Sequence, residues 1–199
     1  MTKAYTSSRE YQPVKVLAIA SSTGGIEALE TILCSLPASI NPTVIVQHMP
    51  AGFTKMLADR LNDLCPMQVK EAKNGDPLKR GVALIAPADY HMEIQRRSGR
   101  LVVKCYVGER IHGVMPAADI LFSSVAKVAK SEAVGVILTG MGADGAMGLL
   151  KMHEAGAATI GQDRSSSVVY GMPKIARELG ALDYSLPLPQ IAAKIESLL

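Results

Sequence analysis

The stretch Val14-Lys15-Val16-Leu17-Ala18-Ile19-Ala20-Ser21-Ser22-Thr23-Gly24-Gly25-Ile26-Glu27-Ala28-Leu29-Glu30-Thr31-Ile32-Leu33 decides how the chain is read. Its first seven residues form a short apolar run rich in β-branched side chains, which predicts a buried strand. Its last eight place apolar residues at helical spacing. Ser or Thr before that run, with Glu27 a few residues on, is a helix-start signal. The segment between is therefore a strand-to-helix turn. Its two glycines allow a sharp bend, and the helix behind it offers N–H groups and the positive end of a dipole. Such a turn can hold a serine hydroxyl up at the carboxyl edge of a sheet, or it can cradle a phosphate.

The same rhythm continues along the chain. Thr43-Val44-Ile45-Val46-Gln47, Val82-Ala83-Leu84-Ile85-Ala86 and Val134-Gly135-Val136-Ile137-Leu138 are further apolar runs, separated by amphipathic segments at 53–64, 116–129 and 146–154. Purely apolar strands alternating with helices predict an α/β fold, a single doubly wound and mostly parallel sheet with helices on both faces. The rhythm breaks once. His91-Met92-Glu93-Ile94-Gln95 and Leu101-Val102-Val103-Lys104-Cys105 flank Arg96-Arg97-Ser98-Gly99-Arg100, which predicts an inserted antiparallel hairpin. Residues 1–12 are polar and without periodicity, and read as a leader or linker; 13–199 read as one domain. The basic hairpin tip is expected to form a rim of the site.

Composition narrows the function. The 199 residues carry a net charge of +3 and only 4% aromatics, with no basic stripe, which argues against nucleic acid as a partner. No run is long and apolar enough for membrane insertion. Cys34, Cys65 and Cys105 are scattered and follow neither metal spacing nor a disulfide framework, so they read as buried free thiols in a reducing cytoplasm. No metal and no cofactor are expected. The turn at Ser22 also lacks a dinucleotide fingerprint and any following Gly-Lys-Ser or Gly-Lys-Thr.

In open α/β sheets ligands bind beyond the carboxyl ends of the strands. Three strands here end beside a reactive group: Ser22, His48 and, a few residues past Thr139, Asp144. Serine is a weak nucleophile until a base removes its proton, histidine has suitable basicity, and a carboxylate fixes the imidazole's tautomer. Each has a plainer reading. Ser22 could cap its helix, His48 could be a satisfied turn histidine, and Asp144 could cap the helix that follows it. Asp76, Asp89, Asp119 and Asp163 are other acids in or near turns. His91, at the hairpin base, could line the same mouth, whereas His112 reads as a surface residue.

Longer motifs separate these readings. Ala18-Ile19-Ala20-Ser21-Ser22-Thr23-Gly24-Gly25, Gln47-His48-Met49-Pro50-Ala51-Gly52-Phe53-Thr54 and Leu138-Thr139-Gly140-Met141-Gly142-Ala143-Asp144-Gly145-Ala146 resemble, in order, the serine, histidine and aspartate segments of the chemotaxis protein-glutamate methylesterases, the CheB family. Ile85-Ala86-Pro87, Gln162-Asp163 and 167–173 resemble two further blocks of that family. The resemblance covers the catalytic domain, from about Val14 to the C-terminus. Where the family usually carries a receiver domain, only the short leader precedes Val14. At Val114-Met115-Pro116-Ala117-Ala118-Asp119 the family often has basic residues and Pro-Ser instead.

The resemblance implies Ser22 as nucleophile, His48 as base, Asp144 as its orienting partner, Thr23 beside the nucleophile and the Met141 N–H as an oxyanion donor. It implies hydrolysis of γ-methyl esters on glutamates of the cytoplasmic methylated helices of chemotaxis receptors, releasing methanol, with deamidation of receptor glutamines as a second activity. Two other readings stand beside it: a non-catalytic module binding a receptor or phosphorylated ligand through the Ser22 turn, and an esterase of the same mechanism acting outside chemotaxis.

Overall fold

Strand β1 (Val16–Ser21) is buried along its whole length because it lies in the middle of the sheet and is covered on both faces. A computed structural model describes residues 15–199; the expected leader at 1–12 and the strand start at Val14 lie outside the described residues. After β1 come α1 (Gly25–Leu33), β2 (Thr43–Gln47), α2 (Phe53–Leu64), β3 (Gln68–Glu71) and β4 (Val82–Ile85). The hairpin β5 (His91–Arg97) and β6 (Arg100–Tyr106) follows, then α3 (Ala118–Ala129), β7 (Ala133–Ile137), α4 (Ala146–Glu154), β8 (Ala158–Gln162), α5 (Met172–Glu178), β9 (Tyr184–Leu186) and α6 (Leu188–Leu198). The sheet order is β3-β4-β2-β1-β7-β8-β9, and every pairing within it is parallel. The expected doubly wound fold with an inserted hairpin is the observed one.

Alternation along the strands divides the core in two. Leu17, Ile19, Ile45 and Val136 face α1, α2 and α6, where Leu29, Ile32, Leu61 and Ile191 are buried. Val16, Ala18, Val44 and Val46 belong to the opposite cluster, with Phe122, Leu149 and Met172 from α3, α4 and α5. The hairpin buries Met92, Ile94, Leu101 and Val103 in that second cluster, and the Ile94 N–H donates to Ser124 Oγ of α3 at 2.9 Å.

From β1 the chain moves to β2 on one side, and β7 later fills the other. The order therefore reverses between β1 and β7, which is where an open α/β sheet forms its crevice.

Two of the cysteines are not scattered in space. Cys34 and Cys65 end α1 and α2, and their Sγ atoms stand 2.8 Å apart. Burial first, then the bond to Cys34, pushes the Cys65 thiol up to about 12.

Candidate active site

The turn after β1 is built differently from the expected serine cap. Gly24, in the left-handed region at φ 78°, is the N-cap of α1, with no side-chain cap bond. Ser22 is thus released from capping. Its N–H extends the ladder to Thr139 O at 3.0 Å, and its carbonyl accepts the Gly25 N–H at 2.8 Å to close the turn. Gly140 lies so near that a Cβ on it would stand 2.7 Å from Ser22 Cβ, which accounts for a glycine at the close approach of the two loops.

His48 follows β2 and is 12% exposed, while Asp144, on the loop after β7, is 3% exposed. His48 Nε2 and Asp144 Oδ2 are 2.7 Å apart. Asp144 Oδ2 also accepts the Ala118 N–H at 2.6 Å, and Oδ1 accepts the Asp119 N–H at 3.0 Å. The carboxylate therefore caps α3, not the helix that follows it, whose N-cap is Gly145. Ala117 and Ala118 suit this arrangement because α3 offers only main-chain amides, so a Pro-Ser sequence is not needed to make these bonds. The positive end of α3 favours a carboxylate there. With Asp144 holding Nε2, Nδ1 is the ring nitrogen left for proton transfer.

Ser22, Thr23, Gly24, His48, Met49 and Phe53 help line one open cleft of about 440 Å³. Thr23 is exposed, and its carbonyl accepts a hydrogen bond from buried Thr139 at 2.9 Å. Met141 lies on the 140–145 loop, with 76% of the residue exposed. The structure thus brings Ser22, His48, Asp144, Thr23 and Met141 to the carboxyl ends of β1, β2 and β7.

His91 does not line the mouth. It is 1% exposed, donates from Nε2 to Glu109 O at 2.8 Å and accepts the Ala117 N–H at Nδ1 at 3.2 Å. It is a satisfied core histidine that holds the start of α3. The hairpin tip is not the rim either. β5 runs along α3 away from Asp144, and Arg96 lines a separate groove of about 720 Å³ with Lys127 and Val128. Lys127 is nine residues beyond Ala118, about 14 Å of helix rise.

His112, Asp119 and Asp144 place one ligand atom each within 4.8 Å of one another. Both Asp144 oxygens already accept main-chain amides, so this donor set is committed to the fold. The sequence motifs contain Gln47 and Gln162 but assign neither a role. Gln162 Oε1 accepts the Thr139 N–H at 2.8 Å and its Nε2 donates to Ser166 O at 2.7 Å, tying the 163–171 loop to the site. The available signal was a glutamine closing each of β2 and β8. Among the described residues no helix is long and apolar enough to cross a membrane.

Comparison with known proteins bears on this geometry. The family model described as CheB methylesterase matches residues 17–195. A protein-glutamate methylesterase/protein-glutamine glutaminase 2 of Syntrophomonas wolfei is 54% identical over 184 residues, covering 92% of this chain and 54% of that protein. A protein-glutamate methylesterase/protein-glutamine glutaminase of Sulfurimonas denitrificans is 49% identical, covering 99% of this chain and 59% of its own length. The chain thus spans a little over half the length of these relatives. The crystal structure of the Thermotoga maritima CheB methylesterase catalytic domain superposes with a TM-score of 0.91 at 41% identity, covering 93% of this chain and 98% of that one.

Proposed function

The chain belongs to the CheB methylesterase family, and from that premise we propose that it is a serine esterase that removes γ-methyl esters from glutamates on the cytoplasmic helices of chemotaxis receptors. Ser22 Oγ attacks the ester carbonyl while His48 Nδ1 takes its proton. The Met141 N–H stabilises the oxyanion, and Thr23 flanks the nucleophile. Collapse expels methanol, which receives the proton from His48. Water then enters, gives a proton to His48 and adds its oxygen to the acyl carbon; the Ser22–acyl bond breaks, His48 passes that proton to Ser22 Oγ, and the glutamate side chain is released. A receptor glutamine follows the same course with ammonia as the leaving group. Asp144 steadies the imidazolium formed at each stage.

The observation that carries this reading is the 2.7 Å His48–Asp144 bond, braced by two α3 amides, beside a cleft shared by His48 and Ser22. Capping α3 accounts for the two main-chain bonds of Asp144, and orienting a catalytic base accounts for the third, to His48. The test is methanol release from methylated receptor membranes, with labelling by a fluorophosphonate. Ser22→Ala should abolish both while leaving the fold intact, because a turn serine contributes little packing. Retention of turnover in that variant would refute the assignment. Labelling at Ser22 without methanol release from receptors would favour an esterase with a different partner.

A further inference from the structure

Strand β2 reads Thr-Val-Ile-Val-Gln, so a strand buried throughout ends in an amide. Gln47 is 2% exposed, and its side chain lies on the α1 side of the sheet, opposite Asp144. Nε2 donates to Ser22 O at 2.9 Å and to His48 O at 3.0 Å. Oε1 accepts the Ser21 Oγ–H at 2.6 Å. One buried amide thus joins the main chains of the two residues that this site needs at a fixed separation.

The second glycine of the turn follows from this contact. An ideal Cβ at Gly25 would stand 2.2 Å from Gln47 Oε1, so the amide fills the space a side chain there would need. The regular β1–β2 pairing ends at Ser21 opposite Gln47. Ser22 and His48 lie one step beyond it, held by Ser22 N–H to Thr139 O and by His48 N–H to Ser21 O at 3.1 Å. Those bonds tie each residue to a different neighbour, whereas Gln47 ties both to one group. Asp144 orients the imidazole from the α3 side, and the amide spaces the backbones from the α1 side.

We propose that Gln47 is a positioning residue for ester hydrolysis, its amide clamping the Ser22 and His48 main chains so that nucleophile and base keep their attack distance. This rests on the reading of Ser22 and His48 as nucleophile and base. Gln47→Glu keeps the shape and the acceptor for Ser21 but removes both N–H donors. Gln47→Met is a neutral companion of similar length, should a buried carboxylate prevent folding. Misplacement of reacting groups by ~1 Å costs about 100-fold, so kcat per folded molecule should fall roughly 30- to 100-fold in each variant. Gln47 belongs to the wall of the cleft but is only 2% exposed and offers substrate almost no surface, so KM should stay within about threefold, and fluorophosphonate labelling of Ser22 should slow in parallel with kcat. A variant that folds and keeps kcat near the wild-type value overturns the proposal. So does a loss that vanishes once activity is expressed per folded molecule, or failure of both variants to fold, since either assigns Gln47 to stability alone. If the wild-type chain neither labels at Ser22 nor releases methanol, the esterase reading itself falls and the clamp with it.

Discussion

Two histidine–aspartate pairs stand side by side in this molecule. His48 and Asp144 are 2.7 Å apart with 12% and 3% of their side chains exposed; His112 and Asp119 are 3.0 Å apart with 44% and 14% exposed. The distances are nearly equal, so distance does not separate them. What separates them is the rest of each carboxylate's bonding. Asp144, which precedes α4, accepts the first amides of α3. Asp119, within α3, accepts the Gly148 amide in the first turn of α4 at 2.7 Å. Each acid caps the helix associated with the other, and the Asp119 N–H is itself one of the bonds that hold Asp144. The inner pair is locked, buried and next to Ser22. The outer pair meets solvent, where a charged or hydrogen-bonded contact is worth little. Burial and bonding, more than residue type, distinguish the pair proposed for catalysis from the outer one.

The strongest way to break that contrast is Asp144→Asn. One amide oxygen cannot serve Ala118, Asp119 and His48 together, so an N–H of the new side chain must face a donor. Loss of the imidazole's proper partner should lower kcat about 10³- to 10⁴-fold. A buried amide left without an acceptor should cost about 1–3 kcal/mol of stability. Methanol release and urea denaturation measure the two effects separately. A kcat loss below tenfold would reduce Asp144 to a helix cap and make the two pairs equivalent.

A smaller effect is expected from Asp119→Ala. The Gly148 N–H loses its acceptor, which resembles loss of an N-cap and should cost about 1 kcal/mol. The bond from the Asp119 main chain to Asp144 does not depend on the side chain, so kcat should stay within about tenfold, a change of about 1.4 kcal/mol in the barrier. Thermal melting with parallel turnover measurements checks both. If Asp119→Ala matched Asp144→Asn in kcat while remaining folded, the pairs would have to be treated as one relay.

The contrast also marks what could be read from the chain. Strands β1, β2, β4 and β7 were legible because burial on both faces leaves near-continuous apolar runs. Ser22, His48 and Asp144 could be placed at one sheet edge because each stands past such a run. The roles proposed for them came from the longer motifs around them and not from that spacing. The three residues of β9, an edge strand half in solvent, carry too little pattern to be seen. The caps differ from the local pattern because the N-cap of α1 is Gly24, without a side-chain bond, and because Asp144 reaches a helix 26 residues earlier in the chain. That partnership depends on how α3 and α4 pack, which no local window contains. The hairpin's course along α3 was hidden for the same reason: a turn signal fixes the tip but not the direction in which the ribbon lies. Gln47 is intelligible only once Ser21 and Gln47 are known to be in register. Cys34 and Cys65, 31 residues apart, meet only because α1 and α2 end together.

The smallest effect, and the one that sharpens the comparison most finely, belongs to His112. Its backbone is left-handed at φ 51°, a region that costs an ordinary residue free energy and costs glycine almost none. His112→Ala removes the bond to Asp119 and keeps that backbone cost, so stability should fall by about 0–1 kcal/mol, the worth of an exposed pair. His112→Gly removes the same bond but relieves the backbone, a gain offset in part by the freer unfolded chain, so its net change should be within about 0.5 kcal/mol of zero. The ordering of the two variants in urea denaturation separates pair from backbone. On turnover both should be nearly silent: 0.5 kcal/mol is about a twofold change in rate. A tenfold fall in kcat with His112→Ala would show that the outer histidine acts through Asp119 on Asp144. In that event, the solvent exposure that sets the two pairs apart would not set them apart in function.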